Sequence, residues 1–184
     1  MTRRFFRLFF YIIFHSIGVA IHELSHLLFC YLTGIKVFEI KLFQLKRTAG
    51  YVKHQEPRYF IQSFFITLGP FILGNIVSFL LFIFAVSSFG NLTNQISIWD
   101  IAIIIVAIWL AISIAIHCFP SPGDANVLLY ETNKRVLKDF NLFLLPFYPF
   151  IGVIKLINFL RRYYLDFIYA LFLFGLAWYA ILLT

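Results

Sequence analysis

The chain has 184 residues, of which 62% are hydrophobic and only 12% charged. A water-soluble domain of that size has too little interior to hide so much apolar surface, so the composition excludes one and points to a bilayer. The formal net charge is +7, but the basic residues stand in short groups beside apolar runs, a pattern of headgroup anchoring and topology signals rather than of nucleic-acid binding.

The first apolar run, residues 5–32, is longer than the roughly 20 residues a membrane helix needs. Arg3, Arg4 and Arg7 stand at its start. It is too long for the core of a cleavable signal and lacks a small-residue cleavage site, so a retained membrane helix is expected. Thr33-Gly34 ends it, glycine being a common helix stop. Inside this run stands His22-Glu23-Leu24-Ser25-His26. Two histidines four residues apart lie about 6 Å apart along a helix and on one face, so their ring nitrogens can converge on one metal ion. Glu23 lies off the line joining them, where its carboxylate faces a metal-bound water rather than the metal. Three ionisable groups on one turn of a lipid-length helix are costly unless something pairs them, which argues against a mere polar packing cluster. His15, seven residues before His22, is a further ligand candidate or an interfacial residue. Cys30 follows His26 by one turn and reads as a small buried apolar residue. With Cys118 it forms neither a C-x-x-C pair nor a disulfide framework.

Residues 34–58 change character. Residues 35–42 alternate between apolar and polar, and Gly50-Tyr51-Val52-Lys53 resumes after a basic turn at Lys46-Arg47. Two short strands forming a hairpin are expected. A strand edge beside a metal site can pair with an extended substrate segment; the alternative is a plain interfacial loop. Counting Lys and Arg, this region leans to the cytoplasmic side.

A second span is expected at 61–89, with Gly69-Pro70 and Gly74-Asn75 marking a kink or close helix approach. Asn75 at that depth needs a hydrogen-bond partner. A polar turn at 87–97 leads to a third span at 98–117. Two prolines and a glycine in Pro120-Ser121-Pro122-Gly123 then force a break. Asp124 opens an amphipathic segment, 125–140, with Leu128, Leu129, Val136 and Leu137 on one side. Residues 142–160, interrupted by Pro146 and Pro149, read as re-entrant or kinked. Arg161-Arg162 separates them from a cleaner span at 163–183. The fold class is therefore an all-α membrane protein of four to five transmembrane helices, with a small β-hairpin after the first. Residues 1–184 read as one membrane domain, with a catalytic core at about 5–130 and a C-terminal membrane hairpin at about 141–184.

A hydrolytic zinc site takes three protein ligands and leaves one position open. Asp124 is the first candidate to join the histidines, because broken backbone at membrane depth is tolerated where it lines a polar cavity. An Asp before a helix is also an ordinary N-cap. His117, Cys118 and His54 are the other candidates.

The histidine–glutamate motif, Gly69-Pro70 with Asn75, and the stretch from Pro120 to Asp124 together resemble the site-2 protease family of intramembrane zinc metalloproteases. More narrowly, they resemble its small bacterial zincin-like members, over about residues 15–130. The resemblance implies zinc held by His22, His26 and Asp124, with Glu23 as the catalytic base of a zinc-activated water. It also implies peptide-bond hydrolysis in membrane-embedded or membrane-adjacent proteins, by a multi-pass protein of a bacterial cell membrane. Partners would then be a membrane protein or peptide substrate and the lipid bilayer, with no nucleic acid. The chain departs from the family in carrying His117-Cys118-Phe119-Pro120 in place of Asn-x-x-Pro, and Ala125 where a glycine follows the aspartate.

Two other readings stand beside this one. A non-catalytic membrane scaffold or regulator that keeps zinc structurally is the alternative. A di-iron carboxylate site lacks its second half, since Glu39, Glu56 and Glu131 have no histidine three residues on.

Overall fold

The structure is a computed structural model that describes residues 2–45, 49–90 and 97–183; for residues 2–11 and 14 it describes the main chain alone. It is an all-helical membrane fold with one small sheet. Helix α1 (Thr2–Leu32) is followed by strands β1 (Val37–Lys41) and β2 (Tyr51–His54), then α2 (Phe60–Gly90), α3 (Ile98–Ala115), α4 (Pro122–Lys138), α5 (Phe147–Leu160) and α6 (Leu165–Leu182). The expected basic turn at Lys46-Arg47 and most of the expected polar turn at 87–97 lie outside the described residues; α2 itself continues to Gly90.

Among the described residues, four helical stretches are long and apolar enough to cross a membrane: Phe60–Gly90, Ile98–Ala115, Leu142–Tyr163 and Leu165–Leu182. The third is the segment whose prolines suggested an interruption. Pro146 is the N-cap of α5 and Pro149 falls in its first turn, where the missing N–H has no intrahelical acceptor to lose. The stretch is thus interrupted as expected, between a single 3-10 turn at Leu142–Leu144 and α5, and the prolines stand at the start of α5 rather than inside it.

Helix α2 is the hub and touches α1, α3, α4 and α6. Small residues let these helices close on one another, as membrane bundles require. Ala111, Ala115, Ala170 and Ala177 surround Phe82 in one cluster, and Ala85 meets Ala107 and Ile104 in another. Large apolar side chains such as Leu80, Phe84, Ile103, Ile105, Leu171 and Phe172 point outward, as lipid demands. The interior carries the polar groups instead, including Ser25, Ser63, Thr67, Ser78, Ser113 and Thr132. Asn75 finds its partners there: it donates to the Phe71 carbonyl and accepts from the Tyr169 hydroxyl of α6.

Helix α1 lies against both α2 and α3. It ends in a left-handed glycine, Gly34 (φ 70°). The Ile35 N–H reaches back to the Cys30 carbonyl at 2.8 Å and the Gly34 N–H to Tyr31 at 3.1 Å, the Schellman closure. Ile35 packs on Cys30 and Ile66, which turns the chain into the hairpin. β1 and β2 pair antiparallel, with Ile40 opposite Val52 and a register shift between Val37 and Glu39. The Lys53 ammonium, 2.6 Å from Glu39, and the Tyr51 hydroxyl hold the Glu39 carboxyl below its ordinary range.

The break after α3 comes earlier than expected, since α3 ends at Ala115 and α4 already starts at Pro122. Ser121 is the N-cap and Pro122 occupies the first turn, where its fixed φ favours helix initiation. The buried face of α4 is Ala125, Leu128, Glu131, Thr132 and Val136, whereas Leu137, expected beside Leu128 and Val136, is exposed. Nine residues separate Leu137 from Leu128, about two and a half turns, so it emerges on the opposite side. Lys134 pairs with Glu56, and Arg135 donates to the Pro57 and Arg58 carbonyls at 3.1 and 3.2 Å. These contacts tie α4 to the chain entering α2.

Gly18 sets the distance between α1 and α3. A Cβ there would stand 2.1 Å from the Ser113 carbonyl oxygen and 2.3 Å from Nδ1 of His117. Gly18→Val is expected to force the two helices apart and to cost about 1–3 kcal/mol, read as a lowered midpoint of heat-induced aggregation in detergent.

Candidate metal centre

His22 and His26 lie one turn apart on α1, and Asp124 reaches them from the third residue of α4. The Nε2 atoms of the two histidines are 3.2 Å apart. Asp124 Oδ2 is 3.4 Å from His22 Nε2, and its Oδ1 is 3.3 Å from His26 Nε2. One ligand atom from each residue lies within 4.8 Å of the others, close enough to share a metal ion. The capping role and the site geometry coexist in Asp124. Its N–H donates to Ser121 Oγ at 3.2 Å while its Oδ2 accepts the Ser121 N–H at 2.7 Å. That capping box locks the carboxylate's orientation.

Each imidazole is aimed from behind by a main-chain carbonyl. His22 Nδ1 donates to the His117 carbonyl at 2.7 Å, and His26 Nδ1 donates to that of Ile66 at 2.8 Å. A carbonyl oxygen only accepts, so each Nδ1 carries a proton, and in the neutral imidazoles both Nε2 lone pairs face the carboxylate. Lone pairs of two nitrogens and a carboxylate then point at one another across 3.2–3.4 Å. Such a set repels itself until positive charge sits between its members, and borderline nitrogen plus hard oxygen donors suit zinc.

Glu23, buried at 8% exposure, lines the same cavity of about 510 Å³ as the three donors. Its cover is the hairpin, which contributes Ala49, Gly50, Tyr51, Val52 and His54 to the wall. Gly50 lies directly on Glu23: a Cβ there would be 2.6 Å from Glu23 Cγ and 2.9 Å from Oε1. β2 is hydrogen-bonded to β1 alone in this two-stranded sheet, so the strand beside the donors has an edge without a strand partner among the described residues.

The remaining candidates do not join the three donors, although His54 and His117 line the same cavity. His54 lines the cavity, but its Nδ1 donates to the Gln55 carbonyl. His117 contributes its carbonyl to His22, while its own Nδ1 donates to Ser113 at 2.8 Å. Its ring meets that of His15 edge-on, with centroids 5.0 Å apart. Cys118 and Cys30 are fully buried free thiols. Sequence reasoning missed Arg161 and the two carbonyls. Arg161 lines the cavity and donates to the Ile116 carbonyl at 3.2 Å, yet in sequence it reads only as part of a basic pair between two apolar runs. The carbonyls belong to every residue type and leave no mark in a sequence.

The chain belongs to the Peptidase M50B-like family, a site-2 protease family domain, whose pattern matches residues 5–120. That makes it a membrane protein of a metallopeptidase family. The match takes in both histidines and Glu23 and stops four residues before Asp124. No curated protein and no solved structure matches the chain.

Because Gly50 seats the hairpin on Glu23, Gly50→Val is expected to lift β2 from α1. Limited proteolysis in membranes should then cut near Lys53 several-fold faster than in the wild type. An unchanged rate would show that the hairpin is held by other contacts.

Proposed function

We propose that the protein is an intramembrane zinc metalloprotease that hydrolyses peptide bonds of membrane-embedded or membrane-adjacent proteins. The observation that carries the reading is the meeting of two Nε2 atoms and one carboxylate within 4.8 Å, beside a buried glutamate in one cavity. Family membership supports the same reading.

His22, His26 and Asp124 would hold the zinc. The ion supplies Lewis acidity there, polarising a peptide carbonyl and acidifying a water molecule. Glu23 takes the proton from the attacking water and passes it to the departing amine. Its place next to His22 in sequence, off the line of the two imidazoles, leaves the carboxylate free for that transfer. A scissile bond has to be presented in extended form, since a helix shields its own carbonyls. The open edge of β2 suits such a segment, offering main-chain hydrogen bonds along the rim of the cavity. Water and substrate share this opening, while the surrounding bundle keeps the dielectric low and the electrostatics strong.

Zinc content of purified protein tests the ligand set. His26→Ala and Asp124→Ala are each expected to lose the ion, and His54→Ala to keep it. An Asp124→Ala protein that retains zinc would move the third position elsewhere. Glu23→Gln is expected to retain zinc and to lose at least about 1,000-fold in cleavage of a reconstituted membrane substrate. Retained activity in that variant removes Glu23 as the base. A wild type that binds zinc and cleaves no membrane substrate returns the protein to the scaffold alternative.

A further inference from the structure

The carbonyls behind the two histidines have something in common. In a helix, the carbonyl of residue i is normally taken by the N–H of residue i+4. For Ile66 that residue is Pro70, which lies inside α2 and has no N–H to give. His117 lies just beyond the end of α3 at Ala115, so its carbonyl has no helical donor, and the nearby Ser121 N–H is committed to Asp124 Oδ2 at 2.7 Å. Both acceptors are thus carbonyls without their helical donors, and each is filled by a histidine Nδ1.

Next to the proline, Gly69 governs how near that carbonyl comes. A Cβ on Gly69 would stand 2.6 Å from Phe29 Cδ2 and 3.1 Å from the Ser25 carbonyl oxygen, so only a glycine lets α2 approach α1 beside His26.

We propose that Gly69-Pro70 is a positioning device for the metal centre: the glycine brings α2 against α1, and the proline leaves the Ile66 carbonyl open so that it fixes His26 with its proton on Nδ1 and its Nε2 facing the ion. The inference rests on the zinc site proposed above and adds residues that touch neither metal nor substrate. It also assigns a reason for a buried proline inside α2, where the lost N–H otherwise costs a helical hydrogen bond.

Pro70→Ala restores the competing N–H. Two measurements on purified full-length protein in detergent micelles test the consequence. Zinc affinity, measured by competition with a chelator on the metal-free protein, is expected to fall about 10- to 100-fold. Nitrogen-15 spectra of the metal-free protein are expected to report the Nδ1–H tautomer for both histidines in the wild type. In Pro70→Ala, a mixed tautomer should appear for His26 alone, because His22 rests on a carbonyl of another segment. Pro70→Ala with wild-type affinity and an unchanged His26 spectrum, gaining only thermal stability, would overturn the inference and leave the proline a simple kink. If the variant does not fold, the wild-type spectrum still decides: an Nε2–H tautomer at His26 overturns it. A wild type that binds no zinc sinks the zinc site, and the tautomer spectra then judge the proline separately.

Discussion

A bundle whose outer surface is fit for hydrocarbon can carry His22, His26 and Asp124 inside only if the polar atoms among them are answered. Burying such groups unanswered costs more than any single packing contact returns. The answers here are short and local. Two main-chain carbonyls take the Nδ1 protons, a capping box takes part of the carboxylate, and the remaining lone pairs face inward on a common point. This arrangement tolerates little displacement, and glycines stand where α1 closes on α2 and α3, at Gly69 and Gly18.

The break between α3 and α4 is where most of these demands meet. It supplies the Ser121 cap, the Asp124 carboxylate and the His117 carbonyl within a few residues. Irregular backbone at membrane depth has to be satisfied from elsewhere. The C-terminal helices do this: Asn158 donates to the Pro120 carbonyl at 3.0 Å, and Arg161 donates to that of Ile116 at 3.2 Å. The part of the chain beyond the matched family region therefore braces the centre rather than merely anchoring it.

The hairpin closes the cavity from the other side. Its cross-strand pairs, Glu39 with Lys53 and Tyr51, are exposed, while the chain around Gly50 presses on Glu23. One short element thus meets solvent on its charged face and touches a buried carboxylate at its start. Such a boundary is where water can be admitted to a site otherwise walled by apolar helices.

Much of this was legible in the residues. The H-E-x-x-H spacing places two imidazoles on one helix face by geometry alone, glycine at 34 ends the helix, and the period-two stretch after it reads as a strand pair. The apolar runs mark the spans because lipid leaves the backbone no alternative to helices. What sequence could not decide were facts about distance between segments far apart in the chain. Pro146 and Pro149 marked an interruption, and the structure puts it just before α5 begins. Leu137 looked like core, yet it is half a turn out of phase. Asp124 could have been only a cap; the fold brings both of its oxygens within 3.4 Å of the histidines. Local pattern determines which element a stretch forms, because its hydrogen bonds close within a few residues; which carbonyl stands behind which imidazole depends on how closely α2 and α3 pack on α1, and only the assembled bundle decides that.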